Sequence, residues 1–464
     1  MRQPRFGAWR QNGLATAMSR RDMARMALAL GLLSAPGWVA AGTGRVHRID
    51  RPNVDWDAIA PGDEVLLAPG TWRRSMIVRA RGTAEAPIRL RPEEPDSVTF
   101  TNSIVFEGAA HVVLTGVQVS GARHSGVILR RGSEAITVEG VSVRDSGLGI
   151  WIGDGAGAAH RLIGNTLTGN RTHGIAIDEI NAAPGVETLI EGNVITDNGM
   201  HGMEIDGSHY IVLRNRVHGS GRQLSGCSGI HTFCRTPDRP FGKHNVIAFN
   251  IVSGTQETTG QDGNGIQADQ WCDDNLIAFN ICFDNDGAGV NLFDASRTGV
   301  FHNTLVGNMI DSGGQHAYKS EVSLASDFTR DMERPVGNRI FNNIMSATNP
   351  EAAVIFVEAT AASRPHEIGN NLLHHARGGA LGHWAPTNWR GVSISEWNAL
   401  VGGVPDLVGD PLFPAAASST RARFLPRPEA ARAAAPVPVP WLAEAGLVAP
   451  GSPPDHLGAL PVDG

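Results

Sequence analysis

Gly126-Val-Ile-Leu-Arg130, Gly149-Ile-Trp-Ile-Gly153, Gly174-Ile-Ala-Ile-Asp178, Gly202-Met-Glu-Ile-Asp206, Gly229-Ile-His-Thr-Phe233, Gly265-Ile-Gln-Ala-Asp269 and Gly289-Val-Asn-Leu-Phe293 are seven versions of one phrase. Each runs glycine, aliphatic, variable, aliphatic or small, variable. The glycines stand 23, 25, 28, 27, 36 and 24 residues apart. A period in the twenties made of strand-like phrases marks a solenoid, in which each repeat stacks on the one before. Between the phrases no stretch of about 10–15 residues carries helical periodicity, which excludes a doubly wound α/β fold.

A second phrase keeps the same period. An apolar stretch ends in Asn with another apolar residue two places on: Asn165/Leu167, Asn193/Ile195, Asn215/Val217, Asn250/Val252, Asn280/Cys282, Asn303/Leu305, Asn343/Met345 and Asn371/Leu373. Gly116 and Gly140 stand in its place in earlier repeats. Asn and Gly both tolerate the left-handed backbone of a sharp corner, and stacked Asn side chains can hydrogen-bond from coil to coil. Strands this short, each turning into the next, predict an all-β coil of about three sheets, with about 4.8 Å between turns.

At the N-terminus, Ser19-Arg20-Arg21-Asp22-Met23 precedes an apolar run from Met26 to Val39 and the small residues Ala40 and Ala41. The pattern reads as an export signal over residues 1–41, of the twin-arginine type that carries folded proteins. The run is too short for a membrane span, so a periplasmic or secreted location is expected. The signal holds six Arg and one Asp, so the 39 basic and 46 acidic residues of the whole become 33 and 45, a net charge of −12. That balance argues against nucleic acid or an anionic membrane as partner. After residue 414 the chain turns Ala- and Pro-rich and loses the period, giving a tail over 415–464 beside a coil over 42–414. Of four cysteines, Cys282 fills an inward slot and reads as a buried thiol. Cys234 and Cys272 follow equivalent strands of adjacent turns, so a disulfide between them is open.

The chain resembles the right-handed parallel β-helix proteins of the pectin-lyase-like superfamily. Beside the repeats, the likeness lies in Pro61-Gly-Asp-Glu-Val-Leu-Leu-Ala-Pro-Gly-Thr-Trp72, in Gly82-Thr-Ala-Glu-Ala-Pro-Ile88, and in the closing Ser395-Glu-Trp-Asn398 and Gly409-Asp-Pro-Leu-Phe413. It spans roughly residues 45 to 415 and implies a single right-handed β-helix of about 10–12 coils. One fold of this kind hosts lyases, hydrolases, epimerases and binding proteins.

Alternation along a strand turns the first and third residues after each repeated Gly inward and the second and fourth outward. The second positions read Ile128, Trp151, Ala176, Glu204, His231, Gln267 and Asn291; the fourth read Arg130, Gly153, Asp178, Asp206, Phe233, Asp269 and Phe293. Asp178, Glu204, Asp206 and Asp269 thus crowd one stripe. Like charges so close raise each other's pKa unless something cationic sits among them, and a hard divalent ion such as Ca²⁺ would serve; a plain solvated acidic face is the alternative. His231 faces outward beside Glu204 and suits proton transfer. His173 and His201 each precede a repeated Gly and form either a polar edge at a corner or part of the site.

The 36-residue spacing holds an excursion, Cys234-Arg-Thr-Pro-Asp-Arg-Pro-Phe-Gly-Lys243-His244, which brings Arg235, Arg239 and Lys243 toward the stripe. Lys319, the other of two lysines, lies in Gln315-His-Ala-Tyr-Lys319. Tyr210 follows the Asp206 strand, and Trp271, Phe233 and Phe293 are candidates for stacking on sugar rings.

An acidic trough with basic and aromatic borders on an exported coil points to a polysaccharide substrate, anionic in kind, bound by a monomer. The Glu204-x-Asp206 pair resembles the calcium-holding acidic pair of the family 6 polysaccharide lyases. The resemblance implies β-elimination on a uronic-acid polymer. Asp178, Glu204, Asp206 and Asp269 would hold Ca²⁺, Lys243 or His231 would act as base, and Tyr210 would protonate the leaving oxygen. Arg235, Arg239, Gln267, Asn291 and Trp271 would bind substrate. A glycoside hydrolase using paired carboxylates is the runner-up; a non-catalytic glycan-binding coil is the third reading. The polygalacturonase motifs and the Asp-Pro-His of the mannuronan epimerases are absent.

Overall fold

The computed structural model describes residues 44–239, 241–257, 262–310, 320–326 and 334–413, and of the C-terminal segment residues 424, 426, 430, 435–448 and 454–459. The export signal, Tyr318, Lys319 and most of the tail lie outside the described residues. Two compact units are present. The larger spans 38–437 and 454–464 and contains the coil; the described part of the smaller, 438–448, carries a short helix over Pro440–Glu444. No helix among the described residues is long and apolar enough to cross a membrane.

The chain winds as a right-handed parallel β-helix with three walls, each a 13-stranded sheet. From Glu64–Leu67 to Gly382–Trp384 there are 36 strands, three to a turn, which makes twelve turns. The first wall opens with Val46–Ile49, the second with Gly70–Trp72 and the third with Met76–Val78. All pairings along the walls are parallel except the last of the third, where Trp389–Gly391 folds back antiparallel on Gly382–Trp384.

The seven repeated phrases supply seven consecutive strands of the third wall, and their inward residues, from Val127/Leu129 to Val290/Leu292, are buried, all but Thr232 in one continuous apolar core. The glycines are required by close approach. A Cβ at Gly149 would lie 2.2 Å from the Gly174 carbonyl oxygen, one at Gly202 2.3 Å from Val217 Cγ1, and one at Gly229 2.3 Å from Val252 Cγ1. The wall therefore turns in so tightly that only a missing side chain fits.

The corner between first and second walls holds the Asn phrase, with one shift from the expected roles. The left-handed residue is the one before each Asn: Gly164, Gly192, Arg214, Phe249, Phe279, His302, Asn342 and Asn370, with φ between +52° and +66°. Gly116 and Gly140 occupy that same left-handed place, so they match these residues rather than the asparagines. The Asn side chains point inward and form a ladder. Nδ2 of Asn165 donates to Oδ1 of Asn193 at 2.9 Å, and the pattern continues through Asn215, Asn250, Asn280, Asn303, Asn343 and Asn371 at 2.9–3.0 Å. Each Oδ1 also accepts the preceding Asn's backbone N–H, and each Nδ2 donates to a backbone carbonyl, as Asn250 does to Val212. Asp406 ends the ladder, accepting from Asn371 Nδ2 at 2.9 Å and, on its other oxygen, from Trp397 Nε1 at 2.8 Å.

Candidate functional site

Strand pairing sets the outward row of the third wall in the expected register. Ala176 lies beside Glu204, Glu204 beside His231, His231 beside Gln267, and Gln267 beside Asn291. Although this row faces away from the core, Ala176, His231, Gln267 and Asn291 are buried and only Glu204 is half-buried. The excursion after His231 comes down on the following turn: a Cβ at Gly242 would lie 2.3 Å from Cys272 Sγ.

His231 is the centre of the cluster. Its Nε2 lies 3.2 Å from Asp269 Oδ2, and its Nδ1 lies 4.0 Å from Glu204 Oε1 with no hydrogen-bond partner. Burial by itself depresses this imidazole, but the hydrogen bond to Asp269 and the charges of Asp269, Glu204 and Asp262 outweigh it and raise the pKa to about 9. Glu204 also has His173 Nε2 at 3.2 Å from Oε2. His201 sits between the other two imidazoles, its ring 5.4 Å from that of His173 and 4.4 Å from that of His231, both near parallel. Phe233 continues the stack at 5.7 Å. Burial, and then the His231 and His173 charges, hold His201 well below the usual range; burial likewise lowers His173.

Asp206 differs from every other carboxylate on the stripe. It is buried, and its Oδ1 has no partner. Burial first, then Glu204 and Asp178, push its pKa up to about 8 against the opposing charges of His231 and Arg235. Asp206 therefore keeps its proton at neutral pH while its exposed neighbour Asp178 lies close enough to act on it.

The four carboxylates do not converge as a calcium shell. Among the described residues, the one group of three or more ligand-type side chains with atoms within 4.8 Å of one another is His201, Glu204 and His231, which shares only Glu204 with the expected set. Asp269 spends one oxygen on His231 and the other on the Gln270 N–H at 2.7 Å. Two imidazoles and a carboxylate are a poor match for Ca²⁺, which takes six to eight oxygens. Nor does His201 fit a nitrogen-seeking ion. Its Nδ1 accepts the Ser228 N–H at 3.0 Å, so in the neutral ring the proton sits on Nε2 and neither nitrogen has a free lone pair.

Of the other sequence-derived residues, several lie elsewhere than expected. Tyr210 begins the first-wall strand Tyr210–Leu213 and points inward. It is fully buried, and its hydroxyl donates to the Ile180 carbonyl at 2.9 Å, so it cannot protonate a leaving group. Trp271 packs in the core and offers no face to a sugar. Gln267 is buried with its Oε1 accepting from Ser228 Oγ and Asn264 Nδ2, which makes it a brace for the wall. Asn291 is buried with Oδ1 unpartnered. Lys243 Nζ lies 4.0 Å from Asp273, in the corner that leads to the first wall. Arg239 is exposed and paired with Glu179, whereas Arg235 is exposed and near enough to Asp206 to lower its pKa. All four cysteines are buried and separate; Cys234 Sγ donates to backbone carbonyls instead of joining Cys272. Sequence reasoning left His173 and His201 undecided, and the signal that could have placed them is their shared position one residue before the repeated Gly.

The sequence matches the family model for the right handed beta helix region over residues 102–233 and 156–328. No curated protein matches. Among solved structures, the chain is similar to the PL6 family alginate lyase AlyGC, with 14% identity, a TM-score of 0.49, and coverage of 70% of this chain and 51% of that one. It thus spans about half of that enzyme's length. It is also similar to the A-module of the mannuronan C-5 epimerase AlgE4 of Azotobacter vinelandii, with 15% identity, a TM-score of 0.47, and coverage of 68% and 86%. For the pectate lyase Pel9A the values are 14%, 0.39, 75% and 81%.

Proposed function

We propose that this right-handed parallel β-helix protein is an exported enzyme that cleaves a uronic-acid-containing polysaccharide by β-elimination on its third wall. The observation that carries the reading is His231, turned away from the core yet buried, held by Asp269 on one nitrogen and unpartnered on the other, beside a buried Asp206 that keeps its proton. Elimination needs both partners: a base to take the C5 proton and an acid to give one to the departing O4. His231 Nδ1, once deprotonated, takes the C5 proton, and Asp269 fixes the ring by holding Nε2–H. The C5–H and C4–O4 bonds break, a C4=C5 double bond forms, and Asp206 donates its proton to O4. Arg235, exposed beside Asp206, binds the substrate carboxylate. No step runs through Ca²⁺, because the donor set does not form its shell.

A second reading has its own support. Asp206, protonated just past the strand that holds Glu204, gives a second carboxyl two residues from the first, and a glycoside hydrolase works with two carboxyl groups, one of them as acid. One assay separates the two. Incubated with a panel of uronic-acid polymers, the lyase raises the ultraviolet absorbance of a conjugated double bond, and EDTA leaves that rise intact. New reducing ends without absorbance would replace elimination by hydrolysis, and no product from any polymer would remove both. The twin-arginine pattern around Arg20 and Arg21 supports export; Arg20→Lys with Arg21→Lys should retain the chain in the cytoplasm on fractionation.

A further inference from the structure

Four acidic side chains along one stripe pose a physical problem, because like charges at strand spacing repel unless a positive charge lies among them. A bound metal ion is the usual solution. In this chain two of the four, Glu204 and Asp269, are already engaged from within, and Asp206 keeps its proton. Both Glu204 oxygens face imidazoles, Oε2 with His173 Nε2 at 3.2 Å and Oε1 with His231 Nδ1 at 4.0 Å. Both Asp269 oxygens have protein partners, one of them His231 Nε2 at 3.2 Å. His231 thus bridges carboxylates on the turns before and after its own.

We propose that His231 is the built-in counter-cation of the acidic stripe, an imidazolium clamped between Glu204 and Asp269 that takes the place a divalent ion would fill. His173 and His201 support it by stacking, which fixes the ring plane against rotation. The groups facing His231 are Glu204 and Asp269 on the adjacent turns, with Asp262 adding to the field, His173 and His201 opposing it, and Asp206 protonated beside it. Their balance is negative, which favours a positive charge at the centre. Glu204 and Asp269 need no solvent-borne ion while it is there. The idea concerns the resting protein and holds for elimination and hydrolysis alike.

The test reads binding and stability rather than turnover. Titrated calorimetrically with Ca²⁺, and separately with Zn²⁺, the purified full chain should show no saturable binding, and neither ion nor EDTA should move its melting temperature. His231→Gln, which keeps volume and hydrogen bonding but cannot carry charge, should melt lower by several degrees. Millimolar Ca²⁺ should then restore part of the loss, because the exposed carboxylate conflict is open to an external ion. Stoichiometric binding to the unaltered chain that Glu204→Gln abolishes would overturn the proposal. So would a His231→Gln protein that melts like the original, or one whose loss Ca²⁺ leaves untouched, since that loss would then be packing alone. Failure to degrade any uronic-acid polymer would sink the lyase reading and leave these results standing.

Discussion

The asparagine ladder and the acidic stripe are both stacks of polar side chains with one residue per turn, yet they are built to opposite standards. In the ladder every amide is buried and every donor and acceptor is used, at 2.9–3.0 Å from turn to turn. On the stripe, buried polar atoms stand without partners: Asp206 Oδ1, His231 Nδ1, His173 Nδ1 and Asn291 Oδ1. Leaving such an atom unpaired costs on the order of 1–3 kcal/mol, so four on one wall are a sizeable cost. The difference teaches that the ladder is built for the coil, whereas the unpaired atoms of the stripe are the ones the proposed substrate site would draw on.

The comparison breaks most visibly at His231. His231→Ala should lower turnover of the responsive polymer by roughly 10²–10⁴-fold while circular dichroism shows the coil intact; a loss under a few-fold would return His231 to a structural role. The mirror experiment is Asn250→Leu in mid-ladder. It strands donors and acceptors on both adjacent turns and should cost roughly 3 kcal/mol or more by denaturant unfolding, with turnover per folded molecule unchanged.

Asp206→Asn sharpens the contrast because activity and stability should move apart. The raised pKa means that the folded chain keeps a proton the unfolded chain loses. Stability from this group is therefore full below the carboxylate's ordinary 3.8 and declines as pH rises toward about 8. The variant, which cannot ionise, should melt like the parent near pH 4 and above it at pH 8, yet turn over at least about 10²-fold more slowly for want of an acid. Equal melting at both pH values would mean that Asp206 is ionised in the fold.

The pH profile is a finer test. His231 must lose a proton, with pKa about 9, and Asp206 must keep one, with pKa about 8. The competent form is thus a minority species, and activity should trace a narrow bell between those values. The limbs belong to the coupled pair rather than to either residue. A plateau from pH 6 to 8 would contradict the assignment. The smallest effect is expected at Lys243, whose ammonium sits beside Asp273: Lys243→Ala should change turnover by less than about 10-fold, whereas loss on the scale of His231→Ala would make lysine the base.

The fold was legible because each turn repeats the same physical demands. Glycine where a Cβ has no room and Asn where an amide must bridge two turns both recur with the period, and the in/out alternation placed Glu204, His231, Gln267 and Asn291 in one row. What could not be read was depth. Gln267 and Asn291 face outward yet are buried, and Tyr210 and Trp271 lie near the stripe in sequence but turn into the core. Nor does spacing reveal which side-chain oxygens converge: among the described residues Asp178, Glu204, Asp206 and Asp269 are not drawn together as one ligand group. The one-residue offset between the left-handed corner and the Asn was hidden for a related reason: Arg214, Phe249 and His302 hold a conformation their residue types do not advertise.

Asp406 carries one more consequence. An open stack of amides is self-complementary, and a terminal Asn would still hold out a donor to which the end of another molecule could attach. A carboxylate accepts from Asn371 and from Trp397 but has nothing to pass on. With the third wall's final strand reversed as well, two of the coil's stacks end without offering the next molecule a matching edge, a device that discourages end-to-end growth.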